Sequence, residues 1–123
     1  MLSEQALLTY KHLQATYRAS LKDKNTLLQG HWQEFERSEH PAAALKKLRL
    51  FVHRLAGSAA PYGYKNLSSI AREVEILINE YTGANSAHSL DEQMEASIRE
   101  QLRNVVTRLI TALDDAFFEQ APG

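Results

Sequence analysis

The sequence predicts an all-α protein: an antiparallel four-helix bundle with an additional N-terminal helix or helix extension. Apolar residues recur at intervals of three and four and do not alternate. The five Gly and three Pro of the 123 residues fall at a few positions, and the stretches between them are joined by short connections, as in a bundle.

From Ser3 to Arg37 the residues Ala6, Tyr10, Leu13, Tyr17, Leu21, Leu28 and Phe35 keep helical spacing, broken by the polar run Asp23, Lys24 and Asn25. This predicts two consecutive helices or one long one. Pro41 suits the first turn of the next helix, where a missing N–H costs no hydrogen bond. That helix is expected to run toward Ala60 and to stop at Pro61 and Gly63, since proline resists continuation and glycine can close a helix end in the left-handed region. Asn66 is the expected N-cap of a third helix, whose face is Leu67, Ile70, Ala71, Val74, Leu77, Ile78 and Tyr81 and which ends near Gly83. The stretch from Thr82 to Ser89 has loop composition. Ser89 with Glu92 spells a capping box for the last helix, with a seam of Met94, Ile98, Leu102, Val105, Leu109, Ala112 and Ala116. Residues 119–123 read as a tail, and residues 1–123 as one domain.

Fourteen Lys and Arg against fifteen Asp and Glu give a formal net charge of −1, which provides no global field for nucleic acid or an anionic membrane. The absence of cysteine excludes disulfides, thiolate metal sites and a cysteine nucleophile. No segment approaches the roughly 20 apolar residues of a membrane span, and the N-terminus lacks the pattern of a secretory signal. A soluble, cytoplasmic protein is expected. His12, His31, His40 and His88 have no metal-ligand spacing with acidic companions, so no metal site is expected. Trp32 and Phe35 read as core.

The chemistry concentrates on Phe51 to Glu75. Leu45, Leu48, Val52, Leu55 and Ala59 project into one narrow sector, the expected buried stripe. His53 projects about 120° from its centre, toward solvent. Lys46, Arg49, Gly57 and Ala60 share the His53 sector, with Leu50 and Ala56 at its flanks. Glycine inside a helix costs roughly 1 kcal/mol relative to alanine, and Gly57, one turn after His53, is explained if it clears an approach to the ring. Lys46 and Arg49 are placed to attract an anionic group there.

His53-Arg54-Leu55-Ala56-Gly57-Ser58, with Gly63 ten residues after the histidine, resembles the signature H-x-L-K-G-[SA] of the histidine-containing phosphotransfer (HPt) family. The stretch Leu67 to Glu75 resembles the L-x-x-x-A-x-x-[LV]-E pattern common in that family's next helix, and the helix layout extends the resemblance over most of the chain. It implies a phosphorelay intermediate without an ATP-binding or kinase domain of its own. His53 would accept a phosphoryl group from a receiver-domain aspartate, or a hybrid kinase, and pass it to the receiver domain of a response regulator. Gly57 would be the clearance residue and Gly63 the turn. No cofactor is expected on this chain, and Mg²⁺ is expected on the partner receiver domain. Ala56 stands where the family often has lysine. By helical geometry Arg49 is the substitute cation, then Lys46, with Arg54 less well aimed at about 100° from His53. Ser58 falls in the supporting set, but helix packing or backbone bonding suits it better than nucleophilic catalysis. Glu73 and Glu75 read as surface or packing residues.

Docking is expected on the His53 face through Leu50, Ala60, Pro61 and Tyr64, on a monomer. The alternative from another class is a helical adaptor that binds signalling proteins without accepting phosphate.

Overall fold

A computed structural model describes residues 3–39, 41–86 and 91–119. It contains α1 (Glu4–Arg37), α2 (Pro41–Ala59), a 3₁₀ turn (Ala60–Tyr62), α3 (Lys65–Ser86) and α4 (Glu92–Phe118), with no strand among the described residues. Each helix packs on two others, α1 on α2 and α4, and α3 on α2 and α4. The registers run antiparallel throughout. Tyr17 meets Ser58 and Glu34 meets Lys47 between α1 and α2; Tyr81 meets Glu95 and Glu73 meets Arg108 between α3 and α4. Asn25 meets the carbonyl of Ile110, and Glu36 meets Arg103, between α1 and α4. The fold is the expected all-α bundle.

The N-terminal part is one helix. Asp23, Lys24 and Asn25 do not break it because Leu21 and Leu28, two turns apart, are both fully buried and hold one face. Lys24 lies 4.8 Å over the Tyr17 ring and donates to Ser20 Oγ, while Asn25 reaches α4. At 34 residues against 19 for α2, α1 outruns its neighbour, so the extra element is a helix extension. Tyr10 donates to the carbonyl of Pro61 and Gln14 to that of Tyr62, which places the far end of α2 beside residues 10–14. Gln14 is buried and Leu13 is 46% exposed, reversing the hydropathy pattern, because the turn carbonyl of Tyr62 needs a donor.

α2 starts at Pro41 as expected. Its stripe of Leu45, Leu48, Val52, Leu55 and Ala59 is buried. Each large apolar member contributes on the order of 2 kcal/mol by leaving water. The helix closes at Gly63, which adopts φ 93° and donates to the carbonyl of Ala60 at 2.9 Å. α3 begins at Lys65, one residue before the expected cap: the carbonyl of Tyr64 accepts from the Ser68 N–H, and Asn66 lies inside the first turn. It also continues past Gly83 to Ser86, so 82–86 are helical and not loop. Gly83 takes no positive φ, and its penalty is too small to end the helix.

Ser89 lies outside the described residues. Asp91 is the N-cap of α4, its Oδ1 accepting from the Met94 N–H at 2.7 Å. The α4 seam is buried at Leu102, Val106, Leu109, Leu113 and Ala116. Val105 and Ala112 are half-buried at its border, and Met94 is exposed near the helix start. Glu119 caps the helix end, and 120–123 lie outside the described residues. Trp32 and Phe35 are core residues, in contact with each other.

Candidate functional site

The buried stripe of α2 forces His53 outward, and 68% of its side chain is exposed. What fixes the ring comes from α3. Ala56 and Ala59 on α2 and Ala71 on α3 are buried, and such small side chains allow the two helices to approach closely. Ser68, itself buried, donates its hydroxyl to the carbonyl of Ala56 at 2.6 Å. Two turns further along α3, Glu75 places Oε2 2.8 Å from His53 Nδ1. Glu75 is the more enclosed partner, with 19% of its side chain exposed.

An ionised carboxylate only accepts, so the shared proton rests on Nδ1 and the lone pair of the neutral ring is on Nε2. The arrangement is a nucleophilic nitrogen in a fixed tautomer, with a carboxylate behind it to stabilise positive charge on the ring. Spacing alone missed this role for Glu75. The signal was present, since Glu75 ends the L-x-x-x-A-x-x-[LV]-E pattern, but its meaning depends on helix register. Glu73 turns the other way and pairs with Arg108 at 3.0 Å.

Gly57 is exposed, and a Cβ built there meets nothing within 4 Å. Open space therefore lies one turn from His53, as the clearance reading requires. Ala56 does not border it. At 4% exposure its methyl group is buried in the helix contact, and the clearing belongs to Gly57 and half-buried Ala60.

Lys46, Arg49 and Arg54 are exposed and form no ion pair or hydrogen bond among the described residues. Ser58 is turned away from His53. Its hydroxyl is 2.7 Å from that of Tyr17 and also bonds the carbonyl of Leu55, so it packs α2 on α1. Burial raises the Tyr17 hydroxyl above its ordinary pKa, partly offset by the Ser58 hydrogen bond.

Of the expected docking residues, Leu50 and Pro61 are exposed and Ala60 is half-buried. Tyr64 is corrected. It is 7% exposed, because the left-handed turn at Gly63 directs the chain back into the bundle, and it packs beside Tyr17. Its hydroxyl is the one buried side-chain polar atom without a hydrogen-bond partner among the described residues, and burial raises its pKa. On the α1 side of Leu50 lies a surface groove of about 450 Å³, with Leu27, Leu50 and Phe51 among its apolar lining and Lys24, Lys47 and Arg54 among its cations. A slightly larger hollow of about 550 Å³ lies between the start of α3 and the end of α4 and includes no part of the His53 site.

Among the described residues no group of three or more His, Asp or Glu is arranged to hold a metal ion, and no helix is long and apolar enough to cross a membrane.

The fold and this site define a helical bundle that presents one histidine, backed by a carboxylate, to an incoming protein. The Hpt domain family model matches residues 12–116, and the chain belongs to that family. Its role is accordingly phosphotransfer in a two-component phosphorelay, as a carrier module of the kind that interacts with receiver domains. No curated protein and no solved structure matches it significantly.

Proposed function

We propose that His53 is the phosphoryl acceptor of a soluble, cytoplasmic, monomeric relay intermediate. The carrying observation is the bond from His53 Nδ1 to Glu75 Oε2 at 2.8 Å on a side chain that is 68% exposed. His53 Nε2 attacks the phosphorus of a receiver's aspartyl phosphate. The N–P bond forms, the P–O bond to the aspartate breaks, and the carboxylate leaves with the electron pair. The ring becomes cationic with its proton still on Nδ1, where Glu75 stabilises it. Attack by the aspartate of a second receiver releases the neutral ring in its starting tautomer. Phosphoryl transfer depends mostly on positioning and charge stabilisation. This chain contributes the oriented nitrogen and the clearing, and the receiver contributes its aspartate and Mg²⁺.

The partner rests on Leu50, Gly57, Ala60 and Pro61, and its contact extends over Leu27 and Phe51 in the α1–α2 groove. The groove's cations suit an acidic partner surface. Incubation with a phosphorylated receiver domain is expected to place an acid-labile, base-stable label on the protein and none on His53→Gln. Label retained by His53→Gln would remove His53 from this role. Failure of the wild type to take label from a broad set of receivers would leave the adaptor reading in its place.

A further inference from the structure

We infer that Arg72, on α3, binds the phosphoryl group carried by His53 and acts as the cation of the site; this rests on the reading of His53 as acceptor. Two contacts set the register between the helices: Ser68 Oγ to the carbonyl of Ala56 at 2.6 Å, and Glu75 Oε2 to His53 Nδ1 at 2.8 Å. Arg72 stands between Ser68 and Glu75 along α3. It is about 4.5 Å in axial rise from Glu75, at the level of Gly57. It projects about 60° around α3 from Glu75. Arg72 shares an open hollow of about 500 Å³ with Ala60, Ser68 and Ser69, and with Lys65, Glu73 and Ile76 on the outer face of α3. Ala60 lies on the His53 row of α2, at i, i+4 and i+7 with Gly57 between them. Arg72 thus flanks the clearing, where a Cβ at Gly57 would meet nothing within 4 Å. An arginine side chain outreaches one helical turn, about 5.4 Å, and no side chain at Gly57 stands in its way.

Charge supports the same assignment. A phosphoryl group adds about −1.5 to −2 charges to a ring whose other nitrogen already faces the Glu75 carboxylate. Two anions so close need a cation nearby. Arg72 is exposed and unpaired among the described residues, although acids flank it in sequence. Glu75 is committed to His53 and Glu73 to Arg108. Its guanidinium is therefore free, and its fork of donors matches phosphate oxygens.

The test uses the full chain with Arg72→Gln, Arg72→Lys and, as a comparator, Arg49→Gln. Each is loaded on histidine with phosphoramidate, which needs no docking partner, and separately from a phosphorylated receiver. Arg72→Gln is expected to slow transfer roughly tenfold or more. It should also raise the pH at which the phosphohistidine ³¹P resonance titrates, because the dianion loses its counter-charge. Arg72→Lys should recover most of both, and Arg49→Gln should leave the titration in place. A wild-type ³¹P titration in Arg72→Gln overturns the inference, even if receiver-dependent transfer slows, because the residue would then act on docking. If neither phosphodonor labels His53 in the wild type, the acceptor reading fails and this inference with it. Labelling of His53 with an unchanged Arg72→Gln overturns the Arg72 role alone.

Discussion

Helices α2 and α4 use their charges in opposite ways. α4 carries Glu92, Glu95, Glu100, Asp114 and Asp115 with Arg99, Arg103 and Arg108, and every arginine is paired: Arg99 with Glu95, Arg103 with Glu36 and Glu100, Arg108 with Glu73. α2 carries Lys46, Lys47, Arg49 and Arg54 with no acid at all, and Lys47 alone is paired, with Glu34. The α4 arginines link helices and turns of the bundle to one another. Lys46, Arg49 and Arg54 have no ion-pair partner among the described residues, so their field is available to another molecule. A net charge of −1 hides this division, since the cationic face is cancelled by acids elsewhere.

The sharpest way to break the contrast is to reverse charge on α2. Lys46→Glu, Arg49→Glu and Arg54→Glu combined should slow association with a phosphorylated receiver by about a hundredfold at low ionic strength, with the deficit shrinking as salt is added. Quench-flow transfer at two salt concentrations checks this, and a rate independent of both charge and salt would dissolve the distinction between the helices. Next in size is Gly57→Leu, which should reduce transfer roughly tenfold by crowding the ring. Thermal melting should show stability unchanged or improved by up to about 1 kcal/mol, since the added Cβ meets no neighbour within 4 Å. The smallest effect is expected on α4. Arg108→Gln removes an exposed ion pair with Glu73 and should cost under about 1 kcal/mol in a denaturant melt, with transfer at the wild-type rate. A large transfer defect there would show that α4 charges serve partners too.

How much of this could be read from the sequence differs by kind of feature. The α2 stripe was legible because its apolar spacing is regular, and His53 stood out because it projects well away from that stripe, toward solvent. The N-terminal helix was harder: Asp23 to Asn25 resemble a break unless Leu21 and Leu28 are recognised as the same face two turns apart. Leu13 and Gln14 exchange their expected environments because a carbonyl in a distant turn claims the glutamine. Tyr64 was misplaced since helical projection has no meaning beyond Gly63, where the chain direction changes at φ 93°. His53 and Gly57 emerged from one helix's periodicity. Glu75 and Arg72 belong to another helix and acquire meaning only through register, which no window of sequence contains.

The short hydrogen bond from Ser68 to the carbonyl of Ala56 therefore does more than join two helices. It acts as an index mark. One residue of slippage along α3 is about 1.5 Å of travel and 100° of rotation, enough to carry Glu75 off the imidazole and return the ring to a mixture of tautomers. The orientation of the His53 ring is in this sense a readout of how faithfully two helices keep step, and a buried serine two turns from Glu75 along α3 sets that step.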